Sequence, residues 1–302
     1  MNGVTACPAC AAPAGESREI RRTSARYGDS PPLDIRMVEC NCGHVFVSPA
    51  PTWQELSPFY QSDYHVFADP LPDAASIGRL LAKKRKGDRL NHALIVAGGR
   101  YLDIGCGMGE MVAAMAQVGM EAEGVEPNQA AVNRTQTIGL KVFCGTLDDA
   151  HFPDANFDSI SMYHVLEHTH DPVAVLAECR RILKPGGEIV VGVPNFESLV
   201  RSLVGWTWTA HDLPRHLQHF RESSIRRAAA RAGLLVSDLE TESLPEHVEG
   251  ELVGWLRRRL MIPARLTQRS HATFPLATYL ANRGNASGRG ESIVAHLRPD
   301  GR

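Results

Sequence analysis

Two neighbouring stretches constrain the fold of this chain more than any others: YLDIGCGMG, residues 101–109, and GVEPN, residues 124–128. Together they read as a short buried strand, a glycine turn, a helix and a second strand ending in an acid. Glycine lets the backbone turn sharply there and lets a ligand approach without meeting a Cβ. The acid, Glu126, stands where a carboxylate can accept hydrogen bonds from a ribose diol. The glycine pattern is G-x-G-x-G, with Glu110 at the position where a dinucleotide motif carries its third glycine. Asp103 precedes the first glycine, and Glu110 opens the helix. Neither carboxylate suits a pyrophosphate cradle at a helix N-terminus. The pattern therefore points to a nucleoside cofactor with a cationic tail.

From residue 100 onward, strand-like and helix-like segments alternate, which argues for a parallel sheet. Strands are expected at 101–104, 121–126, 141–143, 157–165 and 188–193. Helices are expected at 110–118, before Gly119, and from Pro127 to Gly139. A third runs from Asp171-Pro172 to Leu183, where KPGG ends it, and a fourth covers 223–232, closed by Gly233. Residues 234–239 and 292–297 are expected as the last two strands. The intervening 241–291 breaks the alternation. It contains GELVGWLRRRLM, where Leu252, Val253, Leu256 and Leu260 form an apolar stripe. The stripe fits a lid or packing helix, or a helix lying on a membrane surface.

The chain has 302 residues, a net charge of −2 and 43% hydrophobic residues, enough for one good core plus a smaller unit. Near-neutral charge argues against a nucleic-acid backbone as the main partner, and KKRK (residues 83–86) reads as a solvated helix face. No apolar leader or membrane-length apolar run is evident, so a cytoplasmic protein without a membrane span is expected. The seven cysteines fit a reducing compartment better than a disulfide framework.

Four of those cysteines form two short knuckles, Cys7-Pro-Ala-Cys10 and Cys40-Asn-Cys42-Gly-His44. Zinc takes four soft or borderline ligands in a tetrahedron, and paired knuckles supply them. The second knuckle is irregular, and Cys40 with His44 offers an alternative spacing. The favoured ligands are Cys7, Cys10, Cys40 and Cys42. Four protein ligands leave no open position, so the zinc would be structural.

LDIGCGMGE, GVEPN, GTLDD, FDSISMYHVLEHTHDP and LAECRRILKPGGEIVVGVPN, in this order, resemble successive motifs of the class I S-adenosylmethionine-dependent methyltransferases. The resemblance covers about residues 100–239. The cysteines and a PRHLxxF segment (PRHLQHF, residues 214–220) are similar to a subgroup with an N-terminal zinc-ribbon-like module. SPAPTWQELSPFYQSDY (residues 48–64) loosely matches a further segment of that subgroup.

The resemblance implies an α/β fold: a doubly wound, Rossmann-like seven-stranded sheet with its last strand antiparallel, preceded by the small zinc-ribbon-like module. The expected organisation is a module at 1–50, a helical linker or cap at 51–98, and a methyltransferase domain at 99–302 with an insertion at 241–291. The cofactor would be S-adenosylmethionine. Asp103, Gly105, Cys106 and Gly107 would line its methionine end. Glu126 and Pro127 would adjoin the ribose, and Thr146, Leu147 and Asp148 the adenine. Tyr163 and His164 would face both cofactor and acceptor.

Methyl transfer to a hydroxyl or amine needs removal of a proton, and histidine titrates near neutrality. His164, His168, His216 and His219 stand at motif ends and are the candidates for that role. Arg215 could pair with an acidic substrate group or with a protein carboxylate, and Trp206 and Trp208 could wall an aromatic acceptor or belong to the core. A small-molecule acceptor is expected, with O-methylation in specialised-metabolite or glycan biosynthesis. The alternatives are an RNA base methyltransferase, a sugar C-methyltransferase and a non-catalytic cofactor-binding subunit. The sequence does not name an oligomeric state.

Overall fold

The computed structural model describes residues 6–26, 32–60, 70–261 and 273–301. Residues 61–64 of the aromatic segment and 262–272 of the expected insertion lie outside them. The N-terminal part contributes β1 (Arg18–Ala25), β2 (Leu33–Glu39) and β3 (Val45–Val47). The segment expected as a linker contains α1 (Trp53–Leu56) and α2 (Ala74–Lys84). It continues into a small three-stranded unit of β4 (Arg85–Lys86), β5 (Arg89–Leu90) and β6 (Ala93–Leu94).

The alternating part follows in chain order: β7 (Arg100–Ile104), α3 (Glu110–Gln117), β8 (Glu121–Glu126), α4 (Gln129–Gln136), β9 (Val142–Cys144), β10 (Phe157–Tyr163), α5 (Pro172–Ile182) and β11 (Leu183–Pro194). Beyond it lie α6 (Leu199–Val204), β12 (Gln218–His219), α7 (Glu222–Arg231), β13 (Leu234–Glu242), α8 (Pro245–Leu260), α9 (Phe274–Ala286) and β14 (Ser292–Pro299).

The large sheet has seven strands in the order β13-β14-β11-β10-β7-β8-β9. β7 to β11 run parallel, and β14 inserts antiparallel between β11 and β13. The expected α/β sheet and its antiparallel last strand are thus present. β7 is an inner strand, flanked by β10 and β8, and is buried from Tyr101 to Ile104. One sheet face buries Ile160, Met162, Ile189, Val191 and Val193 against Leu176, Cys179 and Ile182 of α5 and Ile225 and Ala228 of α7. Full burial of each such side chain contributes about 1.5–3 kcal/mol. Tyr101 packs on the other face with Met115 of α3, Leu90 of β5 and residues of α2.

Several local expectations are adjusted. Pro127 does not open a helix, because Asn128 caps α4 by accepting from the Ala131 amide at 2.9 Å. An asparagine side chain satisfies an orphan first-turn donor, which proline cannot do. The strand at 157–165 ends at Tyr163, and KPGG belongs to β11. The β10–β11 register slips between Phe157 and Ser159, which accommodates those residues.

In the expected insertion, α8 packs on α6 and α9 through Val248 and Leu252, burying Trp208 from the loop after α6. It is a packing helix: Leu252 is buried, Val253 and Leu256 are partly buried, and only Leu260 of the stripe is exposed.

β12 does not join the large sheet. Gln218 and His219 pair with Phe46 and Val45, completing a four-stranded sheet with β1, β2 and β3. The PRHLQHF segment therefore physically joins the N-terminal module to the large domain.

Candidate functional site

After β7 the chain turns through Gly105, Gly107 and Gly109, all in the left-handed region with φ of 68°, 51° and 78°. A Cβ on Gly105 would lie 2.3 Å from Val165 Cγ2, so the turn tucks beneath the loop after β10. The Gly105 and Cys106 amides both donate to the Val125 carbonyl. Cys106 is buried against Gly124, where a Cβ would lie 2.5 Å from its Sγ. Burial raises the Cys106 pKa, consistent with a packing thiol.

Glu126 is buried, with both carboxylate oxygens engaged. It accepts from the Gly107 amide at 3.0 Å and the Asn128 amide at 2.9 Å, linking the glycine turn to the start of α4. Its desolvation raises its pKa despite these donors. Each carboxylate oxygen retains accepting capacity for a further hydroxyl.

Asp103 is also buried. The Tyr101 hydroxyl donates to Ser161 Oγ, which donates to Asp103 Oδ1 at 2.7 Å. Desolvation, with the Glu126 charge adding to it, pushes the Asp103 pKa up to about 7 despite the Ser161 bond. Two neighbouring buried carboxylates are best neutralised by a cation. Asp103, Gly105, Gly107, Tyr163 and Asn91 line a cavity of about 460 Å³. The lining suits S-adenosylmethionine: the Asp103 carboxylate would face the cationic end of such a ligand, with the glycine backbone beside it.

After β9, the Thr146 amide and hydroxyl both donate to Asp149 Oδ2 at 2.9 and 2.6 Å, fixing a tight turn. Leu147 is buried in the core, whereas Thr146 and Asp148 are exposed. Gly145 donates to the Glu126 carbonyl, which places this turn beside the acid.

The candidate histidines separate into two settings. A single helical turn, Leu166–His168, follows β10. Its Glu167 is fully buried, with His164 Nδ1 at 3.3 Å and His216 Nε2 at 4.0 Å. Burial opposes its charge, but His164, His216 and His168 outweigh that effect and hold its pKa at about 2. His164 is 60% exposed and has φ of 55°, unusual for a residue with a Cβ. Desolvation works against its protonation, but Glu167 raises its pKa above the ordinary value.

His168 Nδ1 lies 2.9 Å from the Tyr60 hydroxyl and 3.1 Å from the Arg215 carbonyl. A carbonyl can only accept, so Nδ1 carries the proton. Burial lowers the His168 pKa to about 4. His216 Nδ1 donates to the Ala210 carbonyl at 2.9 Å, turning Nε2 toward Glu167 and Asp212. His164, His168 and His216 are thus assembled around Glu167. His219 is separate: it is buried in β12, and desolvation drives its pKa well down.

The anchor Glu167 was not singled out from sequence, because only the fold reveals that three histidines converge on it. Tyr60, Asp212 and Asn91 were missed for the same reason. Arg215 pairs with Asp212, Trp208 is core, and Trp206 is 41% exposed.

The four knuckle cysteines converge. Cys7 and Cys42 sulfurs are 3.7 Å apart, Cys10 and Cys40 sulfurs 3.6 Å, and all four lie within 4.8 Å of one another. Zinc–sulfur bonds of about 2.3 Å give tetrahedral S···S edges of about 3.8 Å, so the donor set fits zinc. Burial pushes the Cys42 pKa up to about 11 and raises that of Cys7. His44 faces elsewhere: its Nε2 contacts Gln218 Oε1 at 2.9 Å, and its ring stacks on Phe46.

The sheet order and the cavity at its glycine turn define an α/β fold of the methyltransferase type. Residues 74–238 match the family described as a methyltransferase domain, and the chain belongs to that family. It is 29% identical over 196 residues to the ubiquinone biosynthesis O-methyltransferase of Xanthomonas oryzae pv. oryzae, covering 62% of this chain and 78% of the relative. The corresponding protein of Xanthomonas euvesicatoria pv. vesicatoria is 30% identical over 190 residues, covering 60% and 76%. Among solved structures, a chain of the complex between a methyltransferase activator and a methyltransferase of Haloferax volcanii aligns with a TM-score of 0.50 and 19% identity, over 74% of this chain and 88% of that one. That likeness concerns the fold.

Proposed function

We propose that this protein is an S-adenosylmethionine-dependent O-methyltransferase acting on a small-molecule acceptor in specialised-metabolite or glycan biosynthesis. The observation that carries the reading is the buried Asp103–Glu126 pair beside the 460 Å³ cavity of a methyltransferase domain. The O-methyltransferase names of the relatives support the type of acceptor atom.

When bound, S-adenosylmethionine supplies an electrophilic methyl group. Asp103 would hold the cationic amino-acid end, with Gly105, Cys106 and Gly107 beside it. Glu126 would accept from the ribose hydroxyls, with Pro127 adjoining. Thr146, Leu147 and Asp148 would border the adenine. Tyr163, which lines the cavity, and His164, which follows it in the chain, would face both the cofactor and the acceptor.

His164 is the proposed general base. Glu167 engages Nδ1 and leaves Nε2 to take the acceptor's proton. His168 and His216 are positioning residues that pack around Glu167 and hold it in place, and His219 serves the module seam. The four cysteines hold a structural zinc.

Incubation with methyl-labelled S-adenosylmethionine, total RNA and a metabolite extract tests the acceptor class. Alkali-stable label in small molecules carrying hydroxyls is expected. Label confined to RNA overturns the proposal.

A further inference from the structure

A second cavity, of about 400 Å³, lies between β1 of the N-terminal module and the Trp206–Arg215 segment. Arg21, Arg26 and Arg215 line it, with Phe59, Trp206 and His211, and no acidic residue is among the described residues of its lining. Arg215 is paired with Asp212, whereas Arg21 is exposed and pairs with no carboxylate among the described residues. The Arg21 guanidinium lies 5.2 Å from the Trp206 ring centroid.

Arg201 stands behind this wall. It stacks 3.5 Å over Phe196, lies 5.9 Å from Trp206 and donates to His211 Nε2. It too has no carboxylate partner among the described residues, and burial together with Arg221 pushes its pKa down to about 10. Glu39 and Glu197 offset this only in part and form no ion pair with it among the described residues, and a partly buried cation so placed favours an anion nearby. The positive potential is therefore concentrated on a concave surface with aromatic walls.

The cavity also leads toward the proposed base. Arg215 pairs with Asp212, Asp212 lies 3.6 Å from His216, and His216 lies 4.0 Å from the Glu167 that engages His164. Through these contacts one wall of the cleft is linked to the loop that follows Tyr163, a lining residue of the first cavity.

We infer that this cleft is the anion-binding subsite of the acceptor: it takes a carboxylate or phosphate between Arg21 and Arg26, with a planar or apolar portion against Trp206 and Phe59. The inference rests on the methyltransferase reading and extends it to the acceptor's chemical class. Arginine suits this role because its planar fork meets either oxyanion with paired hydrogen bonds.

Calorimetry on the full chain, with S-adenosylhomocysteine present, tests it using phenyl phosphate, benzoate and phenol as probes. Both anions should bind, and phenol should bind about tenfold more weakly or not at all. The Arg21→Gln/Arg26→Gln variant should lose about tenfold or more in anion affinity while keeping its S-adenosylhomocysteine affinity. Tighter phenyl phosphate binding supports a phosphorylated acceptor, and tighter benzoate binding a carboxylic acid.

Equal anion affinity in wild type and variant overturns the inference, as does phenol binding as tightly as the anions. Absence of anion binding to the wild type also overturns it. A wild-type arm guards against a misfolded variant: inorganic phosphate must displace phenyl phosphate, and failure to do so counts against the site. Failure of wild type to bind S-adenosylhomocysteine overturns the cofactor reading instead. The anion titration repeated without that ligand then tests the cleft by itself.

Discussion

The proposed cofactor site and the proposed acceptor site of this molecule are built by different rules. Around the cavity, the acid, the glycines and the adjoining turn come from consecutive strand ends of one parallel sheet, so their placement follows the fold's regular alternation. Around Glu167, the groups come from the loop after β10, the segment before β12 and the aromatic segment near residue 60. The carboxylates and glycines of the first site are local in topology, although residues 70–79 and Asn91 from upstream also line its cavity, and the second is assembled by long-range packing. Variants in the two halves should consequently separate methyl transfer from cofactor binding.

The largest separation is expected from His164. His164→Gln removes the proposed base and should lower kcat by about 10²–10⁴-fold, with little change in S-adenosylmethionine affinity. Single-turnover rates beside calorimetric titration check both quantities. An unchanged rate would transfer the proton step to another group of the cluster.

Glu126→Ala should do the reverse. Losing two charge-assisted hydrogen bonds to a ribose diol should weaken cofactor binding by about 100-fold. Equal affinity in calorimetry would sink the ribose assignment. Glu126 also accepts two backbone amides, so Glu126→Gln provides a control that preserves most of the local shape.

The contrast also explains what could be read from sequence. Asp103, the glycine turn and Glu126 were legible because strand, turn and strand end follow one another in the chain. The alternation pointed to a parallel sheet, and the resemblance to class I methyltransferases implied its seven strands and the antiparallel one. Asn128 displaced Pro127 as the start of α4 because a cap forms through a side-chain acceptor, which the proline rule overlooks. The histidines were visible as residue types, but their separation was not. His168 and His216 reach Glu167 through a fold-dependent crossing, whereas His219 pairs with Val45 from far upstream. The cysteine knuckles were legible as pairs, and only packing shows their sulfurs converging while His44 faces Gln218.

The acceptor half should also set an acid limit on stability. Burial lowers the folded-state pKa values of His168 and His211 from 6.5 to about 4, with nearby positive charge adding to the effect. At intermediate pH the unfolded chain binds more protons at these sites. Their contribution is therefore present above pH 6.5 and lost as pH falls toward 4. Together they should cost on the order of a few kcal/mol across that window, measurable by urea unfolding at successive pH values. A flat stability profile would show that the two histidines become solvated. His168→Gln and His211→Gln, compared singly and together, should flatten the slope by apportioning it between the two sites.

The smallest predicted effect tests the seam between the halves. Gln218 contacts His44 with its Oε1 at 2.9 Å and donates to the Thr169 carbonyl at 3.0 Å, so one buried amide ties the N-terminal module to the loop carrying Glu167 and His168. Gln218→Leu has similar reach but leaves polar groups on both sides without this partner. It should destabilise the fold by about 2 kcal/mol, measured as a shift in the urea midpoint at constant slope. Cofactor affinity should hold, because the glycine turn and Glu126 belong to other strands. If affinity falls as far as stability, the two halves share one cooperative unit and the division drawn from their topology fails. If stability alone falls, the module is an appendage held through a few specific bonds, and methyl transfer should decline only where the loop bearing Glu167 is disturbed.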